Sequence, residues 1–212
     1  MSLTIKICGL TRTEDISSAV GYGANALGFV FAKSPRQLGI AQAQSLVTAV
    51  PDGVCCIGLF MDQSRADIEA VLDHVELDWL QFHGRETEAD CQRYGMPYIK
   101  AVSMSESNPE EVAARYASAA GILLDSHAPG GAGGTGHSFD WRRRVHSAKP
   151  LWLAGGLRPD NVAAAIHQFQ PHAVDVSSGV ESSPGIKDDA LLHDFMVNAR
   201  QASNERTSTA NQ

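Results

Sequence analysis

Eight short apolar runs, each followed by an amphipathic stretch, repeat from one end of the chain to the other. The runs are Thr4 to Cys8, Ala26 to Phe31, Val54 to Phe60, Trp79 to Phe82, Tyr98 to Val102, Ile122 to Asp125, Leu151 to Ala154, and Ala173 to Ser177. Helical spacing follows near 13–22, 41–49, 64–74, 87–94, 109–118, 139–146, 159–168 and 188–200. Short runs of this kind, without polar alternation, are strands buried on both faces, as in parallel sheets covered by helices. Helix starts are marked by Thr13 before Glu14-Asp15, by Ser107-Asn108 before Pro109-Glu110, and by Arg158-Pro159.

Eight strand-helix units predict an α/β chain folded as a single (β/α)8 TIM barrel, a fold that spans roughly 200 to more than 400 residues. A doubly wound open sheet would usually stop at five or six strands. With 212 residues and 43% hydrophobic content, one core accounts for the chain. The barrel domain is expected over residues 1–203. Asn204 to Gln212 is polar and aperiodic, and is expected to be a disordered tail.

Side chains alternate across a strand, which places polar residues inside this barrel. Lys6 shares a face with Cys8, Gln81 with His83, Leu123 with Asp125, and Asp175 with Ser177. The interior is expected to hold Lys6, Gln81, Lys100 and Asp175. The first and eighth strands are neighbours in a closed barrel, so Lys6 and Asp175 are predicted to form a buried ion pair beneath the active site.

Barrel enzymes place their chemistry at the C-terminal ends of the strands. The first run ends there on Cys8, next to Gly9, and the sixth ends on Asp125. A free cysteine is more often a small buried hydrophobe than a base, but a thiol and a carboxyl at two strand tips also form a base and an acid. Three glycine-rich segments follow late strands: Gly130 to Gly136, Ala154-Gly155-Gly156-Leu157, and Ser177-Ser178-Gly179-Val180-Glu181. Glycine lets backbone N–H groups approach an anion, and the loops after strands seven and eight are a frequent phosphate site in barrels. The long loop after Asp125 suits a mobile lid. Arg36, after Lys33-Ser34-Pro35, carries a guanidinium fork suited to a carboxylate. His83 ends the fourth strand on the same rim, as a donor to substrate or to a neighbouring loop.

A net charge of −7 gives no electrostatic footprint for nucleic acid. Residues 1–25 lack a basic start and a long apolar core, and no window approaches membrane-spanning length. The expectation is a reduced, cytoplasmic protein without a membrane partner. Cys55 and Cys56 point to opposite faces, and the eight histidines form no tight ligand pair, so no metal is expected.

The run Ile5-Lys6-Ile7-Cys8-Gly9-Leu10-Thr11-Arg12 carries a family resemblance. So do Gly28-Phe29-Val30-Phe31, Ser34-Pro35-Arg36, His83-Gly84, Gly133-Gly134-Thr135-Gly136 before Phe139-Asp140-Trp141, Leu153 to Leu157, and Asp175 to Glu181. From about Thr4 to Ala202 the chain resembles the phosphoribosylanthranilate isomerases of tryptophan biosynthesis. It departs at Cys55-Cys56, at Phe82 before His83, and in the tail. The resemblance implies a cofactor-free Amadori rearrangement of N-(5-phosphoribosyl)anthranilate, with Asp125 as general acid and Cys8 as general base. It further implies that Arg36 grips the anthranilate carboxylate and that Gly134, Gly155, Gly156, Ser178 and Gly179 line a phosphate pocket. The implied partner is a small phosphosugar; other tryptophan-pathway enzymes are not required.

Asp125 is then expected to be raised by partial burial and Cys8 to be lowered by nearby N–H dipoles; substrate charge or coupled titration are the alternatives. The nearest rival is the barrel isomerase of histidine biosynthesis, which performs the same rearrangement on a different aminosugar and looks to use a carboxylate at the first strand tip, where this chain has Cys8. A non-catalytic phosphosugar-binding barrel would need Arg36 and the glycine loops but not Cys8 with Asp125.

Overall fold

The computed structural model describes residues 3–126 and 140–210, with side chains described as far as residue 206. Eight parallel strands close into a barrel: β1 (Thr4–Cys8), β2 (Ala26–Val30), β3 (Cys55–Phe60), β4 (Trp79–Phe82), β5 (Tyr98–Ser103), β6 (Gly121–Asp125), β7 (Leu151–Leu153) and β8 (Ala173–Val176). The expected strands are all present, with ends displaced by a residue or two. Closure brings β8 beside β1, in a register that sets Lys6 opposite Asp175.

The outer layer is α1 (Thr13–Gly21), α2 (Ile40–Thr48), α3 (Arg65–Leu72), α4 (Glu88–Gln92), α5 (Pro109–Ala114), α6 (Val162–Phe169) and α7 (Asp189–Ala210). Local chemistry sets several starts. Ser64 and Thr87 accept from the third backbone N–H of α3 and α4, and Asn108 does so before Pro109. The helix expected at 139–146 does not form among the described residues. There the Asp140 carboxylate accepts from the backbone N–H and guanidinium of Arg142, and Arg143 reaches the carbonyl of Met104, so local and long-range bonds replace a helical ladder.

Two elements have no counterpart in the sequence reading. After a 3-10 turn at Ser178–Val180, β9 (Glu181–Ser183) and β10 (Ile186–Lys187) form a small antiparallel hairpin, with Gly185 at φ +83° in its turn. At the other end, α7 continues past Asn204, where a tail was expected. Its polar side chains there are used: Glu205 meets His167, and Arg206 donates to the carbonyl of Pro171.

The barrel's lower interior is packed by Ala26, Ile57, Ile99, Leu123, Trp152 and Ala173, with Trp79 tilted against Trp152 at 6.2 Å. Lys6, Gln81 and Asp175 are buried above this layer, as expected, and Lys6 Nζ lies 2.9 Å from Asp175 Oδ2. Lys100 is the exception. Ile99 belongs to the interior layer, with Ala101 packed against it, so the alternation of β5 turns Lys100 outward. It is buried there against Glu86, at 2.9 Å, and donates to the carbonyls of Phe82 and Gly84.

Candidate active site

One open-mouthed cavity occupies the C-terminal end of the barrel. Cys8, Arg36, His83, Asp125, Gly155, Gly156, Ser178 and Gly179 all line it. These eight were expected from sequence to form the site, and topology gathers them because every βα loop opens on the same face. Gly134, the ninth, lies outside the described residues.

Cys8 stands at the end of β1 opposite Gly28 of β2. A Cβ on Gly28 would lie 2.7 Å from the Cys8 sulfur and 3.0 Å from its Cα, so glycine is what leaves room for the thiol. Burial pushes the Cys8 thiol above its ordinary value. The ammonium charges of Lys6 and Lys187 pull it back, while Asp175 adds to the rise. This reverses the expected direction, because desolvation outweighs the neighbouring cations. Burial also pushes Cys55, Cys56 and Cys91 up to about 12, which keeps them as thiols.

Beneath the thiol lies a connected polar chain. Lys6 Nζ donates to Asp175 Oδ2 and to Gln81 Oε1, each at 2.9 Å. Burial alone would lower the Lys6 amine, but the Asp175 carboxylate outweighs it and holds the ammonium above its ordinary range. Gln81 Nε2 is 3.2 Å from His83 Nδ1, and His83 Nε2 is 3.3 Å from Asp125 Oδ2. The second oxygen of Asp175 is buried without a hydrogen bond among the described residues, and Asp175 lines the cavity. A buried acceptor of this kind is costly unless a ligand completes it.

The rim opposite Asp125 contains two residues that the sequence reading did not assign. Arg36 donates to Glu181 in a two-pronged bond, Nε to Oε1 at 2.8 Å and Nη2 to Oε2 at 2.6 Å. Glu181 also receives Lys187 Nζ at 2.8 Å, and the same ammonium donates to the carbonyls of Cys8 and Ser177. Lys187 is therefore a clamp joining β10 to the tips of β1 and β8. Arg36 keeps its Nη1 edge clear of hydrogen bonds among the described residues. Glu181 was visible in the Ser177 to Glu181 motif, but nothing in the sequence marked Arg36 as its partner. Lys187 sits in a strand too short to show a pattern.

On the far side, Gly155 and Gly156 have φ of +82° and +69°, conformations that side chains disfavour. A Cβ on Gly155 would overlap Ser126, and one on Gly179 would overlap the carbonyl of Leu157. The Gly179 contact packs the two late loops against each other, and both line the cavity. Short 3-10 geometry at Ser178–Val180 follows directly on β8.

Comparison with known proteins places this geometry in context. The family model for N-(5'-phosphoribosyl)anthranilate (PRA) isomerase matches residues 5–198. A protein of that name from Pseudomonas putida strain GB-1 is 50% identical over 200 residues, covering 93% of this chain and 97% of its own. The crystal structure of the enzyme from Thermotoga maritima superposes with a TM-score of 0.84 at 38% identity, covering 94% of this chain and 99% of that one. A phosphoribosyl anthranilate isomerase structure in complex with reduced 1-(o-carboxyphenylamino)-1-deoxyribulose 5-phosphate superposes with a TM-score of 0.81 at 36% identity, with coverage of 94% and 99%.

Proposed function

The chain belongs to the phosphoribosylanthranilate isomerase family, and on that premise we propose that Asp125 and Cys8 carry the reaction as general acid and general base. The activity is the isomerisation of N-(5-phosphoribosyl)anthranilate in tryptophan biosynthesis. Its product is the 1-(2-carboxyphenylamino)-1-deoxyribulose 5-phosphate whose reduced form occupies the related structure.

The observation that carries the residue assignment is the enclosure of Cys8 and Asp125 in one cavity whose other wall is built from the two late glycine loops. Asp125 gives its proton to the ribose ring oxygen. The C1–O bond breaks as the anthranilate nitrogen lone pair forms an iminium. The Cys8 thiolate then takes the C2 proton, and the released pair forms C1=C2 as nitrogen recovers its own. The resulting enolamine tautomerises to the ketone. Each positioned proton transfer contributes typically about 10²–10⁴-fold. Asp125 must be protonated at the start for this step.

The phosphate binds Gly155, Gly156, Ser178 and Gly179, where backbone N–H groups can converge on an anion, with Gly134 assigned to the same pocket. The anthranilate carboxylate meets the free edge of Arg36, whose fork Glu181 already orients. Asp175 Oδ1 accepts from a ribosyl hydroxyl, which supplies its missing hydrogen bond.

The test is a fluorescence assay of phosphoribosylanthranilate loss, with Cys8→Ser and Asp125→Asn variants. Each is expected to lower kcat by about 10²–10⁴-fold. An inactive wild-type enzyme, or full activity in both variants, would sink the assignment. A carboxylate base in place of Cys8, as in the histidine-pathway rival, is not available at this strand tip.

A further inference from the structure

Lysine has only donors, so the atom of Gln81 that meets Lys6 must be its oxygen. The other end of the amide, the NH₂, is then the group 3.2 Å from His83 Nδ1. A donor facing Nδ1 requires Nδ1 to be the acceptor, and a neutral imidazole with Nδ1 as acceptor carries its proton on Nε2. Nε2 is the atom 3.3 Å from Asp125 Oδ2. Every link in this sequence has its direction set by the one before it, and the first link is a charge that cannot reverse. The anchor is itself secured, since Asp175 holds Lys6 from the other side at 2.9 Å.

We propose that Lys6 and Gln81 are positioning residues that fix the His83 proton on Nε2 and aim it at Asp125. Neither touches the reacting atoms. Their effect is to present the Nε2–H of His83, rather than a lone pair, to Oδ2 of Asp125, while Ser126 Oγ approaches Oδ1 at 3.5 Å. Without Gln81 the imidazole could adopt the other tautomer and present a lone pair to Asp125, competing for the acid's proton. This inference rests on the reading of Asp125 as the general acid.

Imidazole nitrogen chemical shifts distinguish the two tautomers directly, from long-range proton–nitrogen correlation of the ¹⁵N-labelled full chain. The His83 signals are identified by their loss in His83→Asn. In the wild type, Nε2 is expected to be protonated. In Gln81→Glu one carboxylate oxygen still meets Lys6 while the other faces Nδ1, so the proton should move to Nδ1 or occupy both nitrogens. Gln81→Met, of similar length and without the amide, should give a mixture of tautomers. Both variants should lower kcat about tenfold or more with a smaller change in KM, the pattern of a lost transition-state arrangement.

Lys6→Met alone strands Asp175 as a buried charge, so the Lys6 arm uses Lys6→Met/Asp175→Asn, in which a tautomer mixture is again expected. An Nε2-protonated His83 in Gln81→Glu, or a wild-type kcat in both Gln81 variants, overturns the proposal. An active Asp125→Asn overturns the reading of the acid instead, and does so whatever the tautomer of His83.

Discussion

Glu181→Gln removes one charge from a contact on which two cations depend. Arg36 meets Glu181 at 2.8 and 2.6 Å, and Lys187 meets it at 2.8 Å. At these distances and an effective dielectric constant of about 20, each charge pair contributes about 6 kcal/mol before desolvation is subtracted. The net loss is set by what is left unpaired. Lys187, with a side chain 1% exposed, has no water to turn to, whereas Arg36 at 11% has some. Breaking a buried pair from one side typically costs about 3–5 kcal/mol, and for a chain of this size that lowers Tm by roughly 6–20 °C. Urea unfolding measures the free energy and thermal unfolding the Tm.

The same substitution loosens Arg36, whose proposed hydrogen bonds to a substrate carboxylate would be worth about 1.5–3 kcal/mol. KM should therefore rise about 10–150-fold, with kcat moving less. Acid supplies an internal control. Burial alone would raise the Glu181 carboxyl, but Arg36 and Lys187 outweigh it and hold the group below its ordinary range. A depressed folded-state value means that its stabilisation is complete above the unfolded value, near ~4.3, and is lost as pH falls through the folded one. The stability gap between wild type and Glu181→Gln should narrow over that acid window. A variant within about 0.5 kcal/mol of wild type, the ordinary range of surface changes, with an unchanged KM, would refute the reasoning.

Lys6→Met should cost about 3–5 kcal/mol in urea unfolding, while Lys6→Met/Asp175→Asn should recover much of the loss by removing the stranded charge; equal losses in the two would exclude the pair as the cause. On the proposed role of the Cys8 thiolate as base, the pH profile of kcat/KM should rise on its alkaline side along a limb lying above the ordinary thiol value near ~8.5, because burial raises the group. A limb at or below that value would show that the cations around Cys8 prevail over its desolvation.

The strand order of the barrel was legible because parallel strands covered on both faces must be continuously apolar, and their ends carry Gly, Pro and polar residues. The Lys6–Asp175 pair was legible for a related reason: period two fixes the faces within each strand, and closure makes the first and last strands neighbours. The error at Lys100 exposes the limit of that logic. Where both faces of a strand are buried, apolar residues do not say which face is the interior. On β5 the layer belongs to Ile99, and the ion that makes an outward Lys100 tolerable comes from Glu86 on the loop after β4.

The same limit explains which groupings at the candidate site were legible in the sequence and which were not. A barrel delivers every strand tip to one rim, so naming the tips was enough to gather Cys8, His83 and Asp125. It did not decide which charged groups on that rim would pair. Arg36 finds Glu181 across 145 positions of sequence because a hairpin of five strand residues folds back over the rim. Strands of three and two residues are too short to show any periodicity. Sequence pattern therefore specifies the end of the barrel at which a side chain arrives. The identity of its partner follows from loop paths, and at this site loop paths set both the orientation of Arg36 and the clamp on the backbone of Cys8.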